Sequence, residues 1–327
     1  MDFDLSQDQQ EIKAVARELL TARSPWAKVR EAAEAKAYDD ALWRELAELG
    51  WPGIAVGEAH GGQGLGAVAL AVILEELGYA CAASPLLSAA TAAAVIDACG
   101  TDEQRRRYLP ALAAGEATAG VGTRELCADG AVHQLGVVAV EQDEHGRAGA
   151  DVEALDPIDS TRRFAAVRGG DGQALAAGAA DRVRAALAAE VVGVCQRALD
   201  MTLAYVKERR QFGVPVGAFQ AVSHRCAQML LGTESARSTA YFAAWAADAD
   251  ASRLAEAAAL AAAAAADAGR DVTGSAIQAH GGIGFTWEAD VHWLYKRAQL
   301  DAALLGGARR HRAALARIAA SAVGVPA

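Results

Sequence analysis

Two short segments of the sequence carry residue types suited to holding an anionic group. The first reads RRQFG at 209–213 and opens with Arg209, whose planar guanidinium donates charge-assisted, bidentate hydrogen bonds to phosphate oxygens. Its last residue, Gly213, permits a tight turn. The second reads QAHGGIG at 278–284 and precedes a predicted helix, so its glycines would let backbone N–H groups approach a phosphate at a helix N-terminus.

Each of these features has an ordinary alternative that the residues alone leave open. Arg209 also fits a surface arginine after a helix, Phe212 fits a core position, and 281–284 fits a structural turn. A further glycine-rich segment, GGQGLG at 61–66, is not a dinucleotide-binding fingerprint, because it lacks the GxGxxG spacing and follows no convincing strand.

The sequence contains no pattern typical of a metal site, a disulfide framework or a nucleic-acid-binding surface. His280, His292 and His311 lack metal-ligand spacing and are interpreted as hydrogen-bonding or surface residues. The five cysteines are odd in number and include no CxxC pair, which indicates reduced, cytosolic thiols. A net charge of −10 argues against a nucleic-acid partner, because such a partner requires a basic stripe.

The sequence also lacks features typical of a secreted or membrane protein. Its N-terminus, MDFDLSQDQQ, is acidic and polar, unlike a signal peptide. The apolar tract Ala257–Ala266 is mainly alanine, is flanked by Glu256 and Asp267, and is too short to span a bilayer. We therefore expect a cytoplasmic protein without a membrane span.

The elements that must position the two candidate segments fall into three regions. Residues 1–115 predict a helical domain, with helices at 67–77, 85–99 and 102–114 that each end at a glycine. Residues 116–180 predict a small β domain, because short runs such as 135–140 and 164–167 alternate with turn-forming pairs. Residues 181–327 predict a four-helix bundle, with apolar residues recurring every three or four positions from Leu187 to Tyr205. The predicted fold is mainly α with a small central β domain.

Four separated segments, in the same order, resemble the acyl-CoA dehydrogenases. They are LWRELAELGWPGIAVGEAHGGQGLGAVALAVILEELGYA (42–80), GTDEQRRRYLPALAAGE (100–116), ERRQFGVPVGAFQAVSH (208–224) and AIQAHGGIGFTWEADVHWLYKRA (276–298). The resemblance implies that FAD is held partly by the helical bundle of a neighbouring subunit. It implies that Arg209 pairs with the FAD pyrophosphate, that Gln211 and Phe212 contact the cofactor, and that Gln278, Gly281 and Gly282 form a second cofactor contact.

The sequence departs from this family where the catalytic base is expected. The resemblance places Leu305 at the usual glutamate position and Val183 at the alternative one, and neither side chain accepts a proton. The nearby carboxylates Glu190 and Glu288 match neither position and are interpreted as structural. The family's TEPxxGSD and WIT motifs, which grip the flavin and the substrate, are also missing, and the corresponding region at 120–130 reads GVGTRELCADG.

These departures resemble the short, base-lacking subunit of heteromeric acyl-CoA dehydrogenases of steroid side-chain degradation, which are α2β2 tetramers. The resemblance implies a non-catalytic subunit that shares FAD with a paralogous partner and acts on an acyl-CoA within the complex. Two alternatives remain open at this point. One is an active homo-oligomeric flavoenzyme with a relocated base, Glu288 or Glu190, and the other is a cofactor-free scaffold of the same fold.

Overall fold

A computed structural model describes residues 4–122, 126–129, 135–139, 144–148, 151–168, 171–174, 176 and 178–322. The helices in the described part of the chain are α1 (Gln7–Arg23), α2 (Trp26–Ala35), α3 (Asp40–Glu48), α4 (Gly66–Ala80), α5 (Leu86–Cys99), α6 (Asp102–Ala113), α7 (Ala179–Glu208), α8 (Gln220–Ala249), α9 (Leu254–His280), α10 (Val291–Leu304) and α11 (Ala308–Ala322). The strands are β1 (Ala119–Gly122), β2 (Cys127–Ala128), β3 (Leu135–Ala139), β4 (Glu144–Ala148), β5 (Asp151–Leu155), β6 (Phe164–Arg168), β7 (Asp171–Ala174), β8 (Arg210–Gln211) and β9 (Val214–Pro215). A mainly helical fold with a small central sheet is therefore confirmed.

Three of the N-terminal helices, α1, α3 and α6, begin at residues whose side chains accept hydrogen bonds from free backbone N–H groups. Ser6 and Gln9 form a capping box at the start of α1, and Thr101 and Gln104 form another at α6. The predicted helices at 85–99 and 102–114 are confirmed to within one residue at each end. The predicted end of the helix at 67–77 is wrong, because α4 continues through Gly78 to Ala80.

Gly78 serves helix packing and does not terminate the helix. A Cβ built on Gly78 would lie 2.1 Å from the carbonyl oxygen of Glu190, and one on Gly193 would lie 1.8 Å from the carbonyl oxygen of Glu75. Helices α4 and α7 therefore cross with their backbones in direct contact, which only glycine allows at these two positions.

The central sheet has the strand order β5-β6-β2-β1-β3-β4-β7, and its neighbouring strands are antiparallel except for β1 and β3. The predicted runs at 135–140 and 164–167 correspond to β3 and β6, and Val140 lies outside the described residues. Strands β5 and β6 pair through Leu155 and Phe164, so residues 156–163 form the connection between them. This connection projects charged side chains toward the helices.

The C-terminal helices form a bundle in which α7, α8 and α9 pack on one another and α10 and α11 pack on α9. The predicted apolar stripe lies along α7, where Leu187, Val191, Val194 and Ala198 are buried. The alanine tract 257–266 lies within α9 and lets α7 and α8 approach it closely. In the described part of the chain, no helix is both long and apolar enough to cross a bilayer.

A buried carboxylate ties α4 to two other helices. Glu75 of α4 accepts hydrogen bonds from Lys13 of α1 at 2.8 Å and from the Tyr241 hydroxyl of α8 at 2.7 Å, and it pairs with Arg237 of α8. Burial alone raises the pKa of Glu75, but the charges of Lys13 and Arg237 outweigh it and lower that pKa. The carboxylate is therefore charged and positions α1 and α8 against α4.

The close crossing of α4 and α7 generates a stability prediction. We expect Gly193→Ala to lower the free energy of unfolding by about 1–3 kcal/mol or more, because the added methyl collides with the backbone of Glu75. Gly274→Ala in α9 is the matched control, since its methyl would meet only the ring of Tyr295, at 4.0 Å. That change is expected to leave stability equal or up to about 1 kcal/mol higher, through helix propensity. Urea denaturation of both variants would measure the difference, and equal midpoints would contradict the assigned packing.

Candidate functional site

The two candidate anion-binding segments lie at the same end of the helical bundle. Arg209 caps α7, donating its N–H to the carbonyl oxygen of Tyr205 at 2.9 Å, and the hairpin of β8 and β9 follows. The second segment begins in the last turn of α9. The ring of Tyr205 stacks on that of His280, the last residue of α9, with centroids 4.4 Å apart. This stack joins the ends of α7 and α9 and brings the two segments together.

The hairpin presents its candidate residues to solvent. Arg209 is exposed, and among the described residues no carboxylate pairs with it. Gln211 is also exposed, and its amide donates only to the neighbouring Arg210 carbonyl, at 2.8 Å. Phe212 is 92% exposed and has φ of 53°, so its interpretation as a core residue is wrong. A bulky side chain in this left-handed region costs about 1–2 kcal/mol of backbone energy.

The glycine segment has a different geometry from the one expected. Gln278 lies within α9 and is exposed, and the next long helix begins only at Val291. The predicted helix N-terminus beside these glycines is therefore wrong, because the segment follows the carbonyl end of α9. A Cβ on Gly281 or Gly282 would meet no atom within 4 Å, whereas one on Gly284 would lie 2.3 Å from the Ile277 carbonyl oxygen. Packing thus requires glycine at 284 and leaves the space beside 281 and 282 open to an external group.

A second feature, which the sequence did not predict, is a cluster of charges between the sheet and the bundle. Arg297 of α10 is 0% exposed and donates from Nε to Asp159 Oδ2 at 2.7 Å and from Nη1 to Glu190 Oε1 at 3.2 Å. Arg162 donates from Nη1 to Asp301 Oδ1 at 2.9 Å and also pairs with Glu190. We call these five residues the charge cluster.

The charge cluster fixes the connection between β5 and β6 onto helices α7 and α10. Asp159 and Arg162 come from that connection, Glu190 from α7, and Arg297 and Asp301 from α10. The Thr161 hydroxyl also accepts from Arg297 Nη2, at 2.5 Å. The sequence signal that could have revealed this cluster was Glu190, which lies inside the apolar run AALAAEVVGV. A carboxylate in such a run must be paired if it is buried.

Comparisons with known proteins place this architecture in a family. Residues 6–116 match the family described as "Acyl-CoA dehydrogenase, N-terminal domain", and residues 170–320 match "Acyl-CoA dehydrogenase, C-terminal domain". Acyl-CoA dehydrogenase IpdE2 of Mycolicibacterium smegmatis is 35% identical over 316 residues, which cover 93% of this chain and 96% of that protein. The chain belongs to the acyl-CoA dehydrogenase family.

Solved structures of the acyl-CoA dehydrogenase fold agree over nearly the whole chain. The Tcur3481-Tcur3483 steroid acyl-CoA dehydrogenase G363A variant superposes with a TM-score of 0.89 at 28% identity, covering 97% of this chain and 99% of that one. PigA with FAD and proline superposes with a TM-score of 0.83 at 20% identity, covering 98% and 99% of the two chains, which shows a shared fold. Proteins of this fold therefore include flavoproteins that bind FAD.

The two positions where acyl-CoA dehydrogenases are expected to carry the base are apolar and buried. Leu305, directly after α10, is 1% exposed, and Val183 of α7 is buried in the same core. The Leu305 carbonyl oxygen accepts a hydrogen bond from His311 Nε2. Burial lowers the pKa of His311, so this imidazole is neutral at physiological pH. Neither position offers a carboxylate.

The two alternative carboxylates lie in opposite environments. Glu190 has no exposed surface and is held by Arg162 and Arg297 in the charge cluster, so it cannot reach a bound substrate. Glu288 is exposed, beside Trp287 in the segment between α9 and α10. The structural interpretation of Glu190 follows directly from these contacts.

The three histidines are each held by local contacts. His280 Nδ1 donates to the Ala276 carbonyl oxygen at 2.7 Å. His292 is half-buried, and its ring nitrogens have no hydrogen-bond partner among the described residues, so the expected hydrogen bond is not found there. Burial and the charge of Lys296 lower the pKa of His292 to about 4, which keeps it neutral between the Trp287 and Trp293 rings. No group of three or more potential metal ligands exists among the described residues.

The conformation of Phe212 generates a prediction about the isolated chain. We expect Phe212→Gly to leave the free energy of unfolding unchanged or to raise it by up to about 1 kcal/mol, because it relieves the left-handed backbone and removes no buried contact. Phe164→Ala in β6, where the ring is fully buried, is the control and is expected to cost about 3–5 kcal/mol. Thermal unfolding of the purified chain measures both. A large loss for Phe212→Gly would mean that this side chain stabilises the chain itself.

Proposed function

We propose that this chain is the non-catalytic subunit of an FAD-dependent heteromeric acyl-CoA dehydrogenase, which removes hydrogen across the α,β bond of an acyl-CoA. In this proposal the chain contributes the bundle end that carries Arg209 and Gly282 to a cofactor site shared with a paralogous subunit. The partner supplies the catalytic base. The complex is expected to be an α2β2 tetramer in the cytoplasm.

The observation that carries the proposal is that one chain combines an exposed bundle end with buried apolar residues at both expected base positions. Removing the α-proton of a thioester requires a positioned general base, and such a base contributes about 10²–10⁴-fold to the rate. Leu305 and Val183 are buried hydrocarbon side chains, and Glu190 is tied to two arginines. Catalysis by this chain alone would therefore lack its proton acceptor.

The exposed bundle end supports a partner or ligand, because the described chain leaves most of its side-chain surface uncovered, and Phe212 has only an edge-to-face contact with the Phe219 ring there. Phe212 is bulky, exposed and left-handed, which is unfavourable unless the ring gains contacts elsewhere. Gly282 has open space around it and needs no glycine for packing. Arg209 is exposed without a carboxylate partner among the described residues. A cofactor and a second subunit would satisfy all three.

The residues at this end fit the chemistry of FAD. Arg209 would donate to the pyrophosphate oxygens, and the glycines at 281 and 282 would let a phosphate or ribose approach the backbone closely. Phe212 and the exposed amides of Gln211 and Gln278 would complete the contact. When bound, FAD accepts the hydride from the substrate. The role of this chain is then to bind and orient the cofactor.

The relatives support the substrate class and the two-component architecture. IpdE2 is an acyl-CoA dehydrogenase related over almost the full length of this chain, and the name Tcur3481-Tcur3483 couples two polypeptides in one steroid acyl-CoA dehydrogenase. By analogy, a steroid-type acyl-CoA is the substrate class that we propose for the complex.

Flavin stoichiometry is the measurement that tests the proposal. The chain is purified alone and after co-expression with a paralogous acyl-CoA dehydrogenase subunit, and FAD content and acyl-CoA oxidation are measured for both samples. We expect little FAD and no activity for the chain alone, and bound FAD with activity for the complex. A yellow, active homo-oligomer would contradict the proposal and turn attention to Glu288 as a relocated base. A complex without flavin would indicate a scaffold.

Arg209→Ala is expected to lower the FAD content of the complex by at least several-fold, because a charge-assisted pair with phosphate is lost. Arg210→Ala is the matched control, since this neighbouring exposed arginine donates only weakly to the Gly213 carbonyl, at 3.4 Å. Both variants are compared by flavin absorbance per complex at equal subunit stoichiometry. Equal flavin occupancy in the two variants would refute the role assigned to Arg209.

Leu305→Glu is expected to give no turnover in the isolated chain. The new carboxyl would enter a fully buried position, where burial keeps it protonated and unable to act as a base. The assay follows oxidation of a straight-chain and a steroid acyl-CoA with a dye as electron acceptor, with the wild-type chain as control. Measurable turnover by the variant without a partner would show that only the base is missing.

A further inference from the structure

The charge cluster contains more acids than bases. Among the described residues, Asp159, Glu190 and Asp301 form ion pairs with two arginines, Arg162 and Arg297, and all five residues are buried. Lys296 faces Asp159 from outside the cluster at longer range. If every group were ionised, the cluster would carry a net charge of −1 in the interior. An uncompensated buried charge is costly, and a buried acid avoids that cost by keeping its proton.

The geometry identifies the two acids that compete. A single guanidinium, that of Arg162, donates from Nη1 to Asp301 and from Nη2 to Glu190, so the two carboxyl groups lie side by side on one fork. Each of them has one oxygen left over, since Glu190 Oε2 and Asp301 Oδ2 are buried and have no hydrogen-bond partner in the part of the chain that the structure describes. A proton retained by one of the two acids would remove one uncompensated carboxylate charge from this site.

We propose that Asp301 and Glu190 share one proton at neutral pH, carried mainly on Asp301, and that this proton makes the charge cluster neutral. With one of the three acids protonated, the charges of the two guanidinium groups are balanced by two carboxylate charges. Like-charged carboxyl groups that share a site cannot both ionise freely, so one of them retains its proton. The cluster then fixes the connection at 156–163 to the bundle without a net charge.

Asp159 differs from Asp301 because both of its carboxyl oxygens already accept hydrogen bonds. Its Oδ1 accepts from the Thr161 N–H at 3.0 Å and from the Thr161 hydroxyl at 2.5 Å, and its Oδ2 accepts from Arg297. Burial alone raises the pKa of Asp159, but the charge of Arg297 and these hydrogen bonds outweigh it and lower that pKa. Asp159 is therefore ionised and is not the group that holds the proton.

The groups around Asp301 favour its protonated form. Burial, followed by the adjacent Glu190 carboxylate, raises the pKa of Asp301 well above its usual range, and the two arginines oppose this only in part. The titratable and charged groups that face it are Glu190 and Cys195 from α7, Arg162 and Asp159 from the β5–β6 connection, and Arg297 from its own helix. Burial raises the pKa of the Cys195 thiol to about 12, so it stays neutral. On the α9 side, Gly269 packs against Ala298 and adds no charge.

A shared proton has a measurable consequence for stability. An acid whose folded pKa lies above its unfolded value binds a proton in the folded state that the unfolded chain has released, so its contribution to stability falls as pH rises. For one proton, the folding equilibrium constant should drop about tenfold per pH unit above roughly pH 5. This decrease should continue until the folded Asp301 itself ionises.

Asp301→Asn tests the proposal, because asparagine mimics a neutral, hydrogen-bonding Asp301. Urea unfolding of the full chain between about pH 5 and pH 7 should show wild type losing stability relative to Asp301→Asn by about tenfold in folding constant per pH unit. Asp159→Asn is the matched control. Both oxygens of Asp159 accept hydrogen bonds, so the NH2 group of asparagine would face a hydrogen-bond donor in either orientation. This variant should destabilise the chain far more than Asp301→Asn at neutral pH. The proposal is overturned if Asp301→Asn is destabilised as much as Asp159→Asn and shows no relative change with pH.

A spectroscopic measurement keeps the test independent of variant stability. The infrared carbonyl band of a protonated carboxylic acid should be present in the wild-type chain at neutral pH and should be reduced in both Asp301→Asn and Glu190→Gln. The second variant removes one acid, so Asp301 is then free to ionise. An unchanged band in Glu190→Gln would overturn the shared proton even if Asp301→Asn failed to fold. The proposed function does not depend on this result, because it rests on the bundle end and the missing base.

Discussion

The contact on which the interior of this protein depends is the pairing of two fully buried arginines with three acids between the sheet and the bundle. Moving such charges out of water is unfavourable, and it is tolerated only when each is paired and hydrogen-bonded. Arg297 meets this condition through Asp159, Glu190 and Thr161, which come from two separate parts of the chain. The connection between β5 and β6 can therefore take only the position in which these partners meet.

The same contact bears on the proposal that this chain lacks a catalytic base. Glu190 and Asp301 are acidic residues on helices α7 and α10, which also carry or border the two base positions. Both are committed to arginines, while Val183 and Leu305 fill the base positions with hydrocarbon. In the described part of the chain, these two carboxyl groups belong to a structural junction, which supports the proposal that another subunit supplies the catalytic base.

The far end of the bundle is exposed to solvent, in contrast to the buried charge cluster. There, the stack of Tyr205 on His280 holds the RRQFG hairpin beside the glycines at 281–282 and leaves them exposed. An exposed, left-handed Phe212 is unfavourable for an isolated chain, and the space beside Gly282 is open, whereas a binding surface requires both to stay accessible. A closed interior and an open end together fit a subunit whose function is completed by another chain.

Local sequence patterns determined much of this protein. The glycines that follow α5 and α6 and the apolar periodicity of α7 located these helices. The separated motifs indicated the acyl-CoA dehydrogenase family and predicted Leu305 at the base position, because these signals depend on residues near one another in the chain. Only the tertiary structure decided that Gly78 packs against α7 and does not end α4, that the glycine segment follows a helix C-terminus, and that Phe212 is exposed. It alone also brought Arg162 to Glu190 and Arg297 to Asp159. These outcomes depend on contacts between residues up to 138 positions apart, for which neither spacing nor propensity carries a signal.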